Sequence, residues 1–159
     1  MQITNQPIDL TDIAAVEAKR REIAHIIETY PRDSHEFMTA TAANNELLDS
    51  NVPIRIFYLI GHHLDHPITE HEIAQLIVAG AKGEDLSEVL PLTPEVKTAI
   101  KFQIARRQAK MTQAEVAAKV GHISQAQIAK AERAQTSLSI NRWAELFKVV
   151  GTSAVIKLY

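Results

Sequence analysis

The chain has 159 residues, of which 46% are apolar, which suffices for one packed domain or two small ones. It has no cysteine, which excludes disulfides, thiolate metal sites and cysteine nucleophiles. The net charge of −2 conceals two unlike parts: residues 1–92 carry fifteen Asp/Glu and six Lys/Arg, whereas residues 93–159 carry four and eleven. This asymmetry is typical of an acidic module joined to a basic one. No leader-like or membrane-length apolar segment is apparent, so we expect a cytoplasmic protein with no membrane partner.

The acidic part is predicted to be helical. Apolar residues recur at helical spacing up to Tyr30, and Pro31 closes that segment. Further along, Thr69 and Glu72 have the spacing of a capping box, which favours a helix start. No repeat and no family resemblance is apparent in this part. The predicted helices span Leu10–Tyr30, Ser34–Leu48, Pro53–Leu64 and Thr69–Ala79.

A histidine-rich stretch, GHHLDHPITEH, follows the third predicted helix. If the helix continued through it, His62 and His66 would share a face with Asp65 beside them, an arrangement that zinc accepts. The alternative is that these histidines complement the negative end of a helix that Pro67 closes. We favour the second interpretation and expect neither a metal nor a cofactor.

The segment Gly80–Pro94 contains two glycines, two prolines and a short acidic run, which is typical of a domain boundary. One short helix is predicted around Glu84–Leu90. We therefore expect an acidic helical domain for interaction or oligomerisation at residues 1–85, a linker at 86–94 and a basic domain at 95–159.

Two short helices are predicted inside the basic domain. Thr112 and Glu115 form a capping box that opens the first helix, and Gly121 ends it. Ser124 caps the second, in which Ile128 and Ala131 would point inward. Two helices joined by a tight turn, the second polar near its start, fit the major groove of DNA.

Three motifs in this domain occur in a known order: MTQAEVA from Met111, SQxxI from Ser124, and KAER from Lys130. On these motifs, residues from about Val96 to Gly151 resemble the lambda-repressor/Cro-like (XRE-type) helix-turn-helix family. The resemblance implies an all-α chain whose C-terminal domain has five helices and binds double-stranded DNA. Four of these helices are expected at about Glu95–Ala109, Gln113–Val120, Gln125–Arg133 and Ile140–Val149.

Two departures from the family pattern are visible. The family turn has one residue between the glycine and the next cap, whereas His122 and Ile123 both intervene here. Ala134 stands where a glycine ends the second helix of the motif, so that helix is expected to run on or to end with strain.

The resemblance also implies roles for individual residues. Gln125, Ala126 and Lys130 occupy positions that face base edges, and these three residue types can contact adenine, the thymine methyl group and guanine, respectively. Secondary contacts with bases or phosphate are expected from Gln113, Gln127 and Arg133. Arg106 and Glu132 match a family ion pair with a structural role.

The residues leave two function classes open. One is a sequence-specific regulator that binds a pseudo-palindromic operator as a homodimer, with half-sites roughly 34 Å apart, and whose tail Ala154–Tyr159 pairs as a strand across the dimer. The other is an antitoxin-like or inhibitory protein whose acidic part binds a protein partner, with DNA binding for autoregulation. An exposed apolar patch rimmed by acid would favour the second. A metal-dependent enzyme at the histidines is a weaker third class; since no other catalytic signature is present, we expect no enzyme.

Overall fold

The computed structural model describes residues 7–151, and within this range the chain forms eight α-helices and one short 3-10 helix, without a strand. The all-α prediction is confirmed. By its internal contacts the chain divides into two compact units, residues 1–90 and 91–159. No helix in the described range is long and apolar enough to cross a membrane. The helices are α1 (Ile13–Thr29), α2 (His35–Asp49), α3 (Ile54–His63), α4 (Glu70–Ala81), the 3-10 helix (Leu86–Glu88), α5 (Pro94–Gln108), α6 (Gln113–Val120), α7 (Gln125–Glu132) and α8 (Ile140–Val149).

Side-chain caps set most of the helix starts in the first unit. Asp12 accepts from the Ala14 backbone N–H, and Ser34 caps α2 in the same manner. The predicted capping box of α4 is confirmed, because the Thr69 hydroxyl and the Glu72 carboxylate each accept a backbone N–H of the other residue. Leu86, Ser87 and Leu90, which fall in or next to the predicted linker, are buried. The predicted domain limits and the linker stay predictions.

α1 packs against both α2 and α4 in the first unit. Arg20 on α1 connects the three helices: its Nε donates to Glu70 Oε2 of α4 at 2.8 Å, and one terminal nitrogen donates to Asn44 Oδ1 of α2 at 3.1 Å. Glu17 and His71 make a second contact between α1 and α4. The chain also approaches itself closely at Gly80, where a Cβ atom would lie 1.9 Å from the Asn51 carbonyl oxygen.

The histidine stretch does not form the helical zinc face. α3 ends at His63, and Leu64 is extended with ψ 151°, so His66 and Asp65 lie beyond the helix that carries His62. His66 instead contacts two carboxylates, with Nδ1 2.6 Å from Asp65 Oδ1 and Nε2 2.8 Å from Glu72 Oε1. Among residues 7–151 no three His, Asp or Glu side chains are placed to hold a metal ion together. The disfavoured alternative, in which His62, Asp65 and His66 share a helical face, is therefore not what the described chain forms.

α5 to α8 enclose a core in the second unit. Phe102 of α5 meets Trp143 and Phe147 of α8 edge-on, with ring centroids 5.7 and 5.6 Å apart. The inward orientation predicted for Ile128 and Ala131 is confirmed, since they are 0% and 1% exposed. Four helices of this unit lie in the described range, and the predicted strand Ala154–Tyr159 falls outside the described residues.

Candidate nucleic-acid interface

α6 and α7 are joined by a turn that local side chains define on both sides. The Thr112 hydroxyl accepts from the Glu115 N–H at 3.1 Å, and α6 ends at Gly121 in the left-handed conformation, with φ 82°. Ser124 then starts α7 through a reciprocal capping box, in which Gln127 Oε1 accepts from the Ser124 N–H at 2.8 Å. The result is two short helices with the second fixed at its N-terminus.

The three residues expected to face bases all lie exposed on α7. Gln125 and Ala126 are in its first turn, and Lys130 follows one turn later. Their side chains carry the donors, acceptors and methyl group that base edges in the major groove require. The structure thus brings Gln125, Ala126 and Lys130 together on one short helix.

The three residues expected to make secondary contacts differ in exposure and in their hydrogen bonds. Arg133 is exposed and caps the C-terminus of α7. Gln127 is exposed, and its amide oxygen is engaged by the Ser124 N–H. Gln113 is half-buried, and its amide nitrogen donates to the Glu132 carboxylate. One N–H of that amide is left for another acceptor.

A buried polar network anchors the C-terminal end of α7. Arg106 of α5 binds the Glu132 carboxylate at two points, with Nε 2.5 Å from Oε1 and a terminal nitrogen 3.1 Å from Oε2. Another Arg106 nitrogen donates to the Met111 carbonyl at 3.0 Å. Gln103 donates to the Glu132 backbone carbonyl at 2.6 Å. Arg106 and Glu132 are the pair implied by the resemblance, whereas no sequence signal pointed to Gln103.

α7 ends in a Schellman motif at a strained residue. The Ala134 N–H bonds to the Ala131 carbonyl at 3.0 Å and the Gln135 N–H to the Lys130 carbonyl at 2.9 Å, the two hydrogen bonds that define this motif. The motif requires a left-handed residue, and Ala134 has φ 53°. Of the two outcomes expected for α7, the structure shows the strained end and not a longer helix.

The additional turn residue projects outward. Ile123 is 2% exposed and belongs to the core, whereas His122 is exposed. Its Nε2 lies 2.6 Å from Glu145 Oε2 of α8, and its Nδ1 lies 3.1 Å from the Val120 carbonyl oxygen. The longer turn is thereby tied to α8 at its surface.

Comparison with known families agrees with this geometry. Residues 102–156 match the family model HTH_3, described as helix-turn-helix. The C-terminal unit is a helix-turn-helix domain of the XRE, lambda-repressor-like kind. Neither the curated proteins nor the solved structures give a match to the chain.

The charge of the helix-turn-helix domain suits a polyanion. Glu132, one of its four acidic residues, is buried against Arg106, so it adds little negative charge at the surface. Clustered Lys and Arg provide the sequence-independent attraction to phosphates. The exposed cations include Lys110, Lys119, Lys130, Arg133, Arg142 and Lys148.

Proposed function

We propose that the protein is a sequence-specific transcriptional regulator of the repressor type, which binds a pseudo-palindromic operator as a homodimer through the segment Ser124–Arg133. One observation carries this proposal. α7 exposes Gln125, Ala126 and Lys130 while capping and burial hold both of its ends. A fixed helix with an exposed polar face can dock in a major groove without first becoming ordered. The same proposal places the protein in the cytoplasm with its DNA.

Each exposed side chain has a chemical role in the proposal. Gln125 would bind adenine N6 and N7 in a bidentate manner, Lys130 would donate to guanine O6 or N7, and the Ala126 methyl group would contact a thymine methyl. Arg133 and Gln127 are proposed as flanking contacts. Gln113 would use its remaining amide N–H on a phosphate at the N-terminus of α6, where the helix dipole favours an anion.

The test is enrichment of bound sequences from a pool of random DNA duplexes, repeated over a range of salt concentrations. A palindromic motif should emerge, and Gln125→Ala or Lys130→Ala should weaken binding to it by about tenfold or more. Matched controls are Gln108→Ala, an exposed glutamine at the end of α5, and Lys82→Ala, an exposed lysine of the first unit. Binding that depends on salt but yields no motif would refute sequence-specific recognition.

The alternative function is an antitoxin-like or inhibitory protein whose acidic part binds a basic protein. The excess of fifteen Asp/Glu over six Lys/Arg in residues 1–92 favours it. The exposed apolar pair on α3, Ile54 and Tyr58, does not, because that helix contains no Asp or Glu and carries Arg55. The first function therefore stands ahead of the second.

A further inference from the structure

Gln103 is a buried amide inside the helix-turn-helix domain. It lies on α5 and is 3% exposed, and its Nε2 donates to the Glu132 carbonyl oxygen of α7 at 2.6 Å. Its Oε1 is buried and accepts no hydrogen bond from the described residues. A buried acceptor without a donor lowers stability, because the same oxygen is hydrogen-bonded to water in the unfolded chain. The amide is therefore a poor choice for stability alone, and its hydrogen bond to α7 indicates another role.

The Glu132 carbonyl lies at the C-terminal end of α7, where a helix cannot satisfy its own acceptors. The Schellman motif occupies the Lys130 and Ala131 carbonyls and leaves that of Glu132. Gln103 supplies a donor to this carbonyl, so a neighbouring helix completes the hydrogen bonding at the end of α7.

α5 holds Glu132 at two points of different kinds. Gln103 and Arg106 are three residues apart on one face of α5; Arg106 binds the Glu132 carboxylate, whereas Gln103 binds its backbone carbonyl. Several rotatable bonds separate a glutamate carboxylate from its backbone, so the ion pair alone leaves α7 free to make small rotations. The burial of Ile128 and Ala131 limits these rotations but is not directional. The hydrogen bond from Gln103 acts on the backbone of α7 directly and removes this freedom.

The two ends of α7 differ in how polar contacts hold them. The capping box of Ser124 and Gln127 is local, so it fixes where α7 begins without tying it to another helix. Lys130 is two residues from Glu132, about 3 Å along the helix axis, whereas Gln125 is seven residues away, roughly 10 Å. Loosening the C-terminal end of α7 should therefore displace Lys130 more than Gln125.

We infer that Gln103 is a positioning residue, which fixes the C-terminal half of α7 through its backbone and so determines where Lys130 meets a base. The inference rests on the proposed function and deepens it. It assigns part of the sequence preference to a residue that is too buried to touch DNA. One arm of its test contains no DNA, so its failure is distinguishable from failure of the proposed function.

Hydrogen exchange of the full chain without DNA tests the anchoring. Gln103→Met keeps the length of the side chain and removes the donor. The substitution removes the unpaired Oε1 and leaves the Glu132 carbonyl unpaired, so the melting temperature should change by less than about 4 °C. The amides of residues 131–135 should exchange about fivefold faster or more. Gln108→Ala, at an exposed glutamine of the same helix, is the control and should change neither quantity. A larger fall in the melting temperature, or unchanged exchange, overturns the inference.

Sequence enrichment with the same variant tests the consequence for recognition. Lys130→Ala and Gln125→Ala identify the base pair that each residue reads, as the position whose preference each variant loses. Gln103→Met should relax the preference severalfold at the Lys130 position, keep it at the Gln125 position, and leave binding to random duplexes unchanged at matched salt. Equal relaxation at both positions, or none, overturns the inference. A wild type that yields no motif refutes the proposed function instead, and hydrogen exchange then decides the anchoring alone.

Discussion

Arg106 and Glu132 form a two-point ion pair between α5 and α7, although their side chains are only 10% and 3% exposed. The pair therefore forms where water cannot replace either partner. It fixes the C-terminal end of α7, away from Ser124, so the position of α7 depends on a buried electrostatic contact.

Arg106→Leu should lower the free energy of unfolding by about 3–5 kcal/mol, because Glu132 would be left as a buried charge without its counter-ion. Arg106→Lys should recover little of this loss, since an ammonium group cannot reproduce the two-point geometry. Urea unfolding followed by circular dichroism measures the difference. Lys148→Leu, at an exposed site of α8, is the control and should change stability by less than about 0.5 kcal/mol. A loss below 1 kcal/mol for Arg106→Leu would contradict the prediction.

Ala134→Gly should raise the free energy of unfolding by about 1 kcal/mol, because a left-handed residue with a Cβ atom costs about 1–2 kcal/mol and the variant loses little packing. Lys110 has φ 55° at the same position of a second Schellman motif, so Lys110→Gly should also stabilise. Thermal unfolding gives both values. The comparison variant is Ala118→Gly, at an exposed site within α6, which should destabilise by a similar amount. Equal effects at Ala134 and Ala118 would show that Ala134 is not strained.

Gly80→Ala should destabilise the first unit by several kcal/mol, because the new methyl group would overlap the Asn51 carbonyl and force the backbone apart. Chemical unfolding of the purified variant measures this. The matched control is Gly61→Ala in α3, where the added methyl group meets nothing within 4 Å beyond its chain neighbours and its own helix backbone, so it should raise stability slightly. Both substitutions add the same group inside a helix, so opposite signs would isolate the collision at Gly80. A stable Gly80→Ala variant would mean that α4 and Asn51 can separate without cost.

His66 should make the stability of the first unit depend on pH. The hydrogen bonds that the imidazolium donates, to Asp65 first and to Glu72 second, raise the pKa of His66 above its ordinary value. Folding then favours the imidazolium, so its contribution is complete below about pH 6.5 and disappears as the pH rises through the folded-state pKa. The pKa of Glu72 is lowered, chiefly by the Thr69 backbone N–H, so its own contribution is lost only as the pH falls through that lower value.

The measurement is urea unfolding of the wild type and His66→Gln at several pH values. The variant should be less stable than the wild type at pH 6 and should approach it as the solution becomes alkaline. A difference that is constant with pH, or that grows in alkali, would show that protonation of His66 is not the cause.

The sequence predicted best those helices whose ends are fixed by nearby side chains. α6 and α8 have the predicted bounds, Gln113–Val120 and Ile140–Val149, and the capping box of α4 lies at the predicted residues. A cap is a contact between residues three apart, so its spacing is visible in the chain. The strained end at Ala134 was visible for the same reason, because a residue with a Cβ atom occupies a position that prefers glycine.

Contacts between residues far apart in the chain were harder to predict from the sequence. Gln103 meets Glu132 across 29 positions and Arg20 meets Glu70 across 50, and neither spacing has a local signature. α3 ends at His63, one residue before the predicted Leu64, whereas the zinc alternative required the helix to continue to His66. Pro67 limits a helix without fixing its last residue, so the sequence left both ends open. The base contacts of Gln125, Ala126 and Lys130 stay predictions, since they depend on a duplex.

The turn between α6 and α7 accommodates its additional residue by projecting His122 outward while Ile123 keeps a place in the core. The His122 side chain lies at the surface, where it contacts Glu145 and the Val120 carbonyl oxygen. Its replacement would cost these surface contacts and leave Ile123 in the core, so new surface chemistry could arise beside α7 without rebuilding the domain beneath it.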